Sequence, residues 1–435
     1  MSINSTLQKL RTGARSQAER LRAGFHPTFW VANGMELFER LAYYAQQIVF
    51  MVYMRDTLGF DEVQAGTLNG VFGGLIYLLP ILCGTLADSW GFRRAFNVAF
   101  SVLALGYFLI GSVGMSAFSG LYGESMSSRY WIMMAFLILT AFGGGFIKPS
   151  VLGTVAVTSK EEVKSLGFAV YYWIVNIGAM IGPVIAYFVR DHVGHAYVYL
   201  VSSASCLAML IVNLCLYKEV RIASAGPRES LASRLKNLGI VLANFKFMLF
   251  LLIYSLYWII FWQEFIIVPY YVTDFIDKDY PYEIVQSVSG AGAIILLQIP
   301  LSILTKRLST PKSIVLGFWI SSLIWVIIGL YPSIPTIIAG IVAFAIGEMI
   351  QAPRYYGYIS KIAPPGQQGM YQGFAFLPIA IARFAGDPAG GWLYKTAKEQ
   401  GTPEIIWYAM IATGVVAALL MWGYTLLFFR DDDAA

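Results

Sequence analysis

The stretch Phe29–Met54, FWVANGMELFERLAYYAQQIVFMVYM, is apolar except for a cluster near its middle, Glu36, Glu39 and Arg40, followed by Tyr43 and Tyr44. A run of this length exceeds the ~20 residues that an α-helix needs to cross a bilayer core. Ionisable groups at that depth cost roughly 2.5–3.5 kcal/mol each on insertion scales, and their default reading is an ion or proton pathway. On a helix, Glu36, Glu39, Arg40, Tyr43, Tyr44 and Gln47 fall within about 140° of one another. One face is therefore polar. Arg40 can pair with Glu36 at i,i+4, which leaves Glu39 as the carboxylate expected to take a distant partner. The alternative is a static ion cluster that fixes helix packing, although buried ion clusters are a weak source of stability.

The whole chain shares this bias. Hydrophobic residues make up 58% and charged residues 13%, against ~25% charged in soluble domains, and the mean hydropathy is +0.65. Lipid is the expected solvent. Twelve apolar segments begin near Phe29, Gly66, Arg94, Tyr130, Ser165, Ala196, Phe245, Glu283, Ser313, Pro335, Met370 and Glu404. All have helical length, and none alternates like a barrel strand.

The net charge of +5 sorts by loop. Lys9, Arg11, Arg15, Arg20 and Arg22 precede the first span. Arg93 and Arg94, Lys160 and Lys164, the central loop from Lys218 to Lys246, Lys306, Arg307 and Lys312, Lys361 and Arg430 fall on the same side. The opposite side carries Arg55, Arg129, Arg190, Lys278, Lys395 and Lys398. The excess is roughly threefold and puts both termini in the cytoplasm. The charge is thus a membrane-topology signal, and no nucleic-acid partner is expected. The N-terminus has a signal peptide's basic region without its apolar core.

Cys83, Cys206 and Cys215 fall within spans and read as small apolar residues. His26, His192 and His195 lie at span ends or in loops, so an intramembrane proton must ride on carboxylates. The sequence contains no metal-ligand spacing, nucleophile triad or Walker motif. An enzyme, a resident cofactor and an ATP-driven pump are therefore not expected, which leaves the proton gradient as the energy source.

The spans divide six and six. Residues 1–28 form a basic N-terminus, either an amphipathic helix carrying Leu7, Leu10 and Leu21 on the inner leaflet or a disordered tail. Residues 29–217 form one six-helix bundle, 218–244 a cytoplasmic linker with a possible surface helix at Leu231–Leu242, 245–430 a second bundle and 431–435 a tail. Between spans two and three the chain reads Gly84-Thr-Leu-Ala-Asp88-Ser-Trp-Gly91-Phe-Arg93-Arg94. Asp88, at a helix end, can pair with basic residues of the next turn or the facing half and so gate one side. A plain loop turn is the alternative. This layout and motif resemble the major facilitator superfamily, with Phe92 as an extra residue before the arginines. The fold class expected is an all-α membrane protein, twelve transmembrane helices in two six-helix bundles.

Span four contains Gly143-Gly-Gly-Phe-Ile-Lys148-Pro149-Ser150. The glycines permit close helix contact, and Pro149 kinks the helix. A lysine beside a kink at membrane depth needs an anion, unless it snorkels to the surface. Glu36 or Glu39 can serve in the empty state and a substrate carboxylate in the loaded state, and competition for one cation is a basis for coupling. In the second half, Arg383 and Asp387 are spaced as a local i,i+4 pair. Arg354 lies about 120° round its helix from Glu348 and favours an anionic solute if it faces a cavity. Tyr254, Trp258 and Trp262 at i,i+4 read first as packing.

Four stretches resemble the proton-coupled oligopeptide transporter family. Glu36 to Tyr44 is similar to its Glu-x-x-Glu-Arg-Phe-x-Tyr-Tyr segment, with Leu41 in place of Phe. Gly145 to Pro149 matches Gly-x-x-Lys-Pro, Phe168 to Ala179 matches its span-five segment, and Gly347-Glu348 to Pro353 with Ala363-Pro364-Pro365 matches its span-ten segment. The resemblance implies a proton-coupling set of Glu36, Glu39, Arg40 and Lys148. It further implies a substrate cavity with Tyr44, Tyr77, Asn176 and Glu348, the last facing a substrate amine. Tyr43, Gln47, Tyr172, Trp258, Gln263, Glu264 and Arg354 complete the expected binding set, and Asp88, Arg93 and Arg94 the gate. The family's second arginine is replaced by Gln47. Its span-seven glutamate is replaced by Trp262, with Glu264 about 200° round the helix from that position. Its span-eleven tryptophan falls at Ala375, and the two extra helices of many bacterial members have no room.

The function expected is therefore a monomeric proton-coupled symporter of the inner membrane that carries di- or tripeptides or related amine-plus-carboxylate solutes by alternating access. One alternative changes the cargo to a non-peptide organic anion, an amino-acid derivative or a drug. Another is a non-transporting sensor or scaffold with the same fold.

Overall fold

The computed structural model describes residues 24–123, 125–220, 239–364 and 368–429. The N-terminal amphipathic helix, most of the 218–244 linker, Pro365 and the 431–435 tail lie outside the described residues.

Span one is α1, Pro27–Val52. Its 26 residues give about 39 Å of helix, enough for the bilayer core. His26 Nδ1 accepts from Thr28 N at its start, and a π-turn at Tyr53–Thr57 ends it. Span two is broken into α2 (Glu62–Leu78) and α3 (Pro80–Trp90), which meet at 43°. Asp61 and Gln64 form a capping box at the start of α2. Pro80 removes a ladder hydrogen bond at the bend. Span three is α4, Phe92–Val113. Span four consists of α5 (Met126–Gly145) and α6 (Ile147–Thr158), interrupted at Phe146. The break falls a turn before Pro149, because a proline lacks the N–H for the carbonyl four residues back and clashes with it, here Gly145. Spans five to ten are α7 (Lys164–Val193), α8 (His195–Leu216), α9 (Phe245–Tyr271), α10 (Tyr282–Thr305), α11 (Thr310–Leu330) and α12 (Ile334–Ile362). Spans eleven and twelve are α13 (Leu377–Glu399) and α14 (Glu404–Phe428).

Among the described residues, nine helices are long and apolar enough to cross a membrane, ten with the bent α2–α3 pair. The other two long helices, α1 and α13, carry Glu36, Glu39 and Arg40 or Arg383 and Asp387, and with them the count reaches twelve. The eleventh span departs from expectation. A short helix at Gln368–Gly373 and a 3₁₀ turn at Phe374–Phe376 precede α13, so the span begins at Leu377 rather than near Met370.

Within the first half, α1 packs on α7 and α8, α4 on α8, and α2 on α5. Within the second, α9 packs on α13 and α14, α11 on α12 and α14, and α10 on α12. The halves meet where α2 packs on α13 and α7 on α10. Glycines permit the α2–α13 contact. A Cβ built on Gly66 falls 2.5 Å from the Asp387 carbonyl oxygen, one on Gly70 falls 2.7 Å from the Arg383 carbonyl oxygen, and one on Gly73 runs into the Arg383 guanidinium.

One end of this interface is tied by charge. Asp274 Oδ2 accepts from Arg55 (2.9 Å), Lys398 (2.7 Å) and the Tyr394 hydroxyl (2.8 Å). Lys395 pairs with Asp61 at 3.1 Å and Arg190 with Glu283 at 2.5 Å. The ion pairs that join the halves among the described residues lie at this end, the one that the loop charges assign to the outside. Exposed pairs are worth about 0.2–1 kcal/mol each; the Arg55–Asp274 pair is more buried, but Arg55 also pairs with Asp56 and Lys398 with Glu62, so losing Asp274 leaves neither cation without an anion. Asp274→Ala is therefore expected to raise the opening of this end about fivefold, for ~1 kcal/mol lost. The rate of maleimide labelling at an Ile48→Cys reporter, with the native cysteines replaced by serine, measures it. An unchanged rate would show that the charges do not hold this end.

Candidate functional site

Arg40 organises the α1 cluster. Its Cβ packs against Gly178 of α7, where a glycine Cβ would fall 2.5 Å away, and its guanidinium lies 5.1 Å from the Tyr43 ring. Nε donates to Glu39 Oε2 at 2.6 Å, and Nη2 pairs with the same oxygen. Glu36 lies farther, at 3.3 Å from Nε, with Tyr171 of α7 beside it. The i,i+4 ion pair with Glu36 forms as the spacing predicts, but Glu39, expected to be the freer carboxylate, is the more tightly held of the two. Glu36 is 0% and Glu39 2% exposed, so neither exchanges with bulk water in this conformation.

Lys148 follows the break in span four by two residues. Its Nζ sits 4.5 Å from the Tyr77 ring centroid and 4.9 Å from that of Phe376. Among the described residues it forms no ion pair with Glu36 or Glu39, contrary to the expectation of a carboxylate partner. Two ring faces substitute, one from each half of the chain. Such cation–π contacts contribute ~0.5–2 kcal/mol without neutralising the charge. Phe376 and Tyr171 were not legible as site residues, since neither stands in a charged or periodic pattern.

A crevice between the halves holds about 690 Å³ of empty space, part of it open solvent. Tyr44 of α1 and Asn176 of α7 line one side, and Glu264 of α9, Gln286 of α10 and Glu348 of α12 the other, with Ile48, Phe261, Phe265 and Phe344 between them. Four expected binding residues thus meet here: Tyr44, Asn176, Glu264 and Glu348. Gln286 was not anticipated.

The other expected binding residues do not line this crevice. Tyr43 lies under Arg40 and Tyr77 under Lys148. Gln47 is fully buried and donates to Asn69 Oδ1 at 3.1 Å. Trp258 packs edge-on against Tyr257 and Phe261. Gln263 donates to the Gly386 carbonyl at 3.0 Å. Tyr172 is half-exposed, and its carbonyl accepts from Asn176. Arg354 reaches the Thr305 carbonyl at 3.4 Å, at the end of α10, so the premise that it charges the cavity is not met.

Arg383 is more than half of a local pair. Its Nε lies 3.1 Å from Asp387 Oδ2, and its Nη2 donates across the interface to Asn69 O (3.2 Å) and Oδ1 (2.9 Å). Its guanidinium lies 4.1 Å from the Trp262 ring. Through Asn69, Arg383 is linked to Gln47, which puts a guanidinium from span eleven beside the position where the resembling family carries its second arginine.

Of the gate residues, Asp88 and Arg94 are exposed at the α3–α4 turn, where Gly91 takes φ +88. Arg93 donates to the Leu214 carbonyl at 2.7 Å. The Glu219 carboxylate accepts from Phe92 N (3.0 Å) and Arg93 N (2.7 Å) and so caps α4, where an anion is favoured.

Two helical bundles around a crevice tied shut at one end, with a buried ion cluster beside it, define a secondary transporter. The family model for the Major Facilitator Superfamily matches residues 37–295 and 279–435, and the chain belongs to that superfamily. Multidrug resistance protein MdtH of Enterobacter sp. (strain 638) is 20% identical over 368 residues, 84% of this chain and 86% of the relative. The same fold occurs in a POT family transporter in complex with 5-aminolevulinic acid, with a TM-score of 0.73 and 18% identity over 92% of this chain and 97% of that one. It also occurs in the nucleoside transporter NupG, with a TM-score of 0.74 and 13% identity over 91% and 99%.

Proposed function

We propose that this protein is a proton-coupled secondary transporter of the inner membrane, both termini cytoplasmic, that moves small amine-bearing organic solutes of peptide-like size by alternating access. The observation that carries this reading is the adjacency of a buried Glu36–Glu39–Arg40 cluster to a crevice bearing Glu348. The crevice lies between halves that ion pairs join at one end. Glu348 takes the solute amine, with Tyr44 and Asn176 opposite. Lys148, with aromatic rather than carboxylate neighbours, keeps its charge available to Glu36 or to a solute carboxylate. The cargo alternative of an exported amine drug is favoured by the MdtH likeness and by Gln47 and Trp262. An organic-anion cargo loses its motive with Arg354 held at Thr305.

The test is uptake into proteoliposomes of a panel containing dialanine, single amino acids, organic anions and lipophilic amines. Glu348→Gln is expected to raise KM at least about thirtyfold for amine-bearing members, since losing a buried charge partner costs ~2–5 kcal/mol, and to affect the others less. Equal effects on both groups would remove Glu348 from that role.

A further inference from the structure

Three consecutive residues of α9 face three different environments. Trp262 lies over Arg383. Gln263 bonds to the α13 backbone at Gly386. Glu264 lines the crevice. Glu264 is only 5% exposed, and its Oε1 has no hydrogen-bond partner among the described residues. On the neighbouring helix α10, Gln286 is 4% exposed, and both polar atoms of its amide are likewise unpartnered. Both side chains line the same space as Glu348, which lies within electrostatic reach of Glu264. None of the described residues lining that space is cationic; Arg40, Arg354 and Arg383 are engaged elsewhere, and Lys148 lies outside the lining, against Tyr77 and Phe376. Two carboxylates in a low-dielectric crevice cannot both stay ionised without a counter-charge, and buried polar groups are normally satisfied.

We propose that Glu264, with the Gln286 amide, forms a second cation-receiving subsite, so that the preferred solutes carry net positive charge: one amine for Glu348 and a second basic group for Glu264. The apolar stretch between the two acids, Phe261, Phe265 and Phe344, receives the aliphatic body that separates the charges. This inference rests on the transport reading above and narrows its substrate class. It also accounts for the acid of span seven standing at 264 rather than at 262.

The experiment is substrate exchange in proteoliposomes without a proton gradient, which reads recognition apart from coupling. Two pairs that differ in one positive charge are used: lysyl-alanine against norleucyl-alanine, and hexamethylenediamine against hexylamine. The wild-type protein is expected to prefer the dibasic member of at least one pair about tenfold, the scale of a buried charge pair. Glu264→Gln is expected to erase that preference, slowing exchange of the dibasic member about tenfold more than that of the monobasic one. Glu264→Asp, which keeps the charge, retains the preference, and this separates recognition from folding. No preference in either pair, or a preference that survives Glu264→Gln, would overturn the subsite. Equal loss of exchange for both members in Glu264→Gln would overturn it too, by making Glu264 part of the transport machinery. Failure of the transport reading is distinguishable: the wild-type protein then exchanges none of the four solutes and drives no proton flux with any panel member.

Discussion

Lys148→Ala is expected to abolish proton-driven accumulation and to leave the folded protein and its solute exchange in place. One proton moving down 100 mV supplies about 2.3 kcal/mol, which sustains a concentration ratio of roughly fortyfold at ~1.4 kcal/mol per decade. The mutant ratio should fall to about unity, a loss of the whole gradient. Lys148 makes no ion pair with the α1 carboxylates, and its ring contacts with Tyr77 and Phe376 are worth only ~0.5–2 kcal/mol, so stability changes little. The coupling effect is large for another reason. Lys148 is the cation for which Glu36, the looser carboxylate of the cluster, and a solute carboxylate compete. Without it, protonation of the cluster and occupancy of the crevice are no longer linked. The paired measurement is the accumulation ratio together with thermal unfolding in detergent. Full accumulation by Lys148→Ala would remove this residue from coupling.

The second large effect concerns stability. Asp387→Leu leaves the Arg383 guanidinium fully buried between α2 and α13 without its carboxylate. Breaking a buried pair on one side costs ~3–5 kcal/mol. The double variant Arg383→Met with Asp387→Leu removes both charges and is expected to recover most of that loss. The recovery is incomplete, because Asn69 Oδ1 then keeps only the Gln47 amide as donor, a loss of one hydrogen bond at ~0.5–1.5 kcal/mol. Gly73 leaves the room that the guanidinium fills, so the shorter, uncharged Met side chain fits there without a clash. Denaturant unfolding of the two single variants and the double variant closes the cycle. Additive losses would show that Arg383 and Asp387 do not act as a pair.

Much of this fold was legible in the sequence, because span-length apolar runs are a local signal. Eleven of the twelve span starts fall within four residues of their expected positions. The eleventh was displaced by the irregular turn at Phe374–Phe376, whose residues are as apolar as the helix that follows. The α1 face was legible for the same reason, since a helix fixes which residues share a side. Rotamers and distant partners were not legible. Spacing pairs Arg40 with Glu36, and that pair forms, yet the guanidinium also turns back onto its neighbour Glu39 and holds it more closely, with Gly178 of another helix against its stem. Spacing likewise reads Arg383 as a local pair, yet its second partner, Asn69, is 314 residues away. Phe376 beside Lys148 and Gln286 in the crevice carry no sequence signal, because they matter only once the halves are brought together. Glu219, which caps α4 across 127 residues, is invisible for the same reason.

The measurement that tests the central claim most directly is the internal pH of proteoliposomes when solute is added under an imposed membrane potential, with dialanine, lysyl-alanine and an amine drug in turn. Coupled transport predicts a solute-dependent pH change with at least one of them that disappears in Lys148→Ala. No pH change with any solute, from protein that still exchanges solute, would contradict proton coupling and leave a facilitator on the same fold.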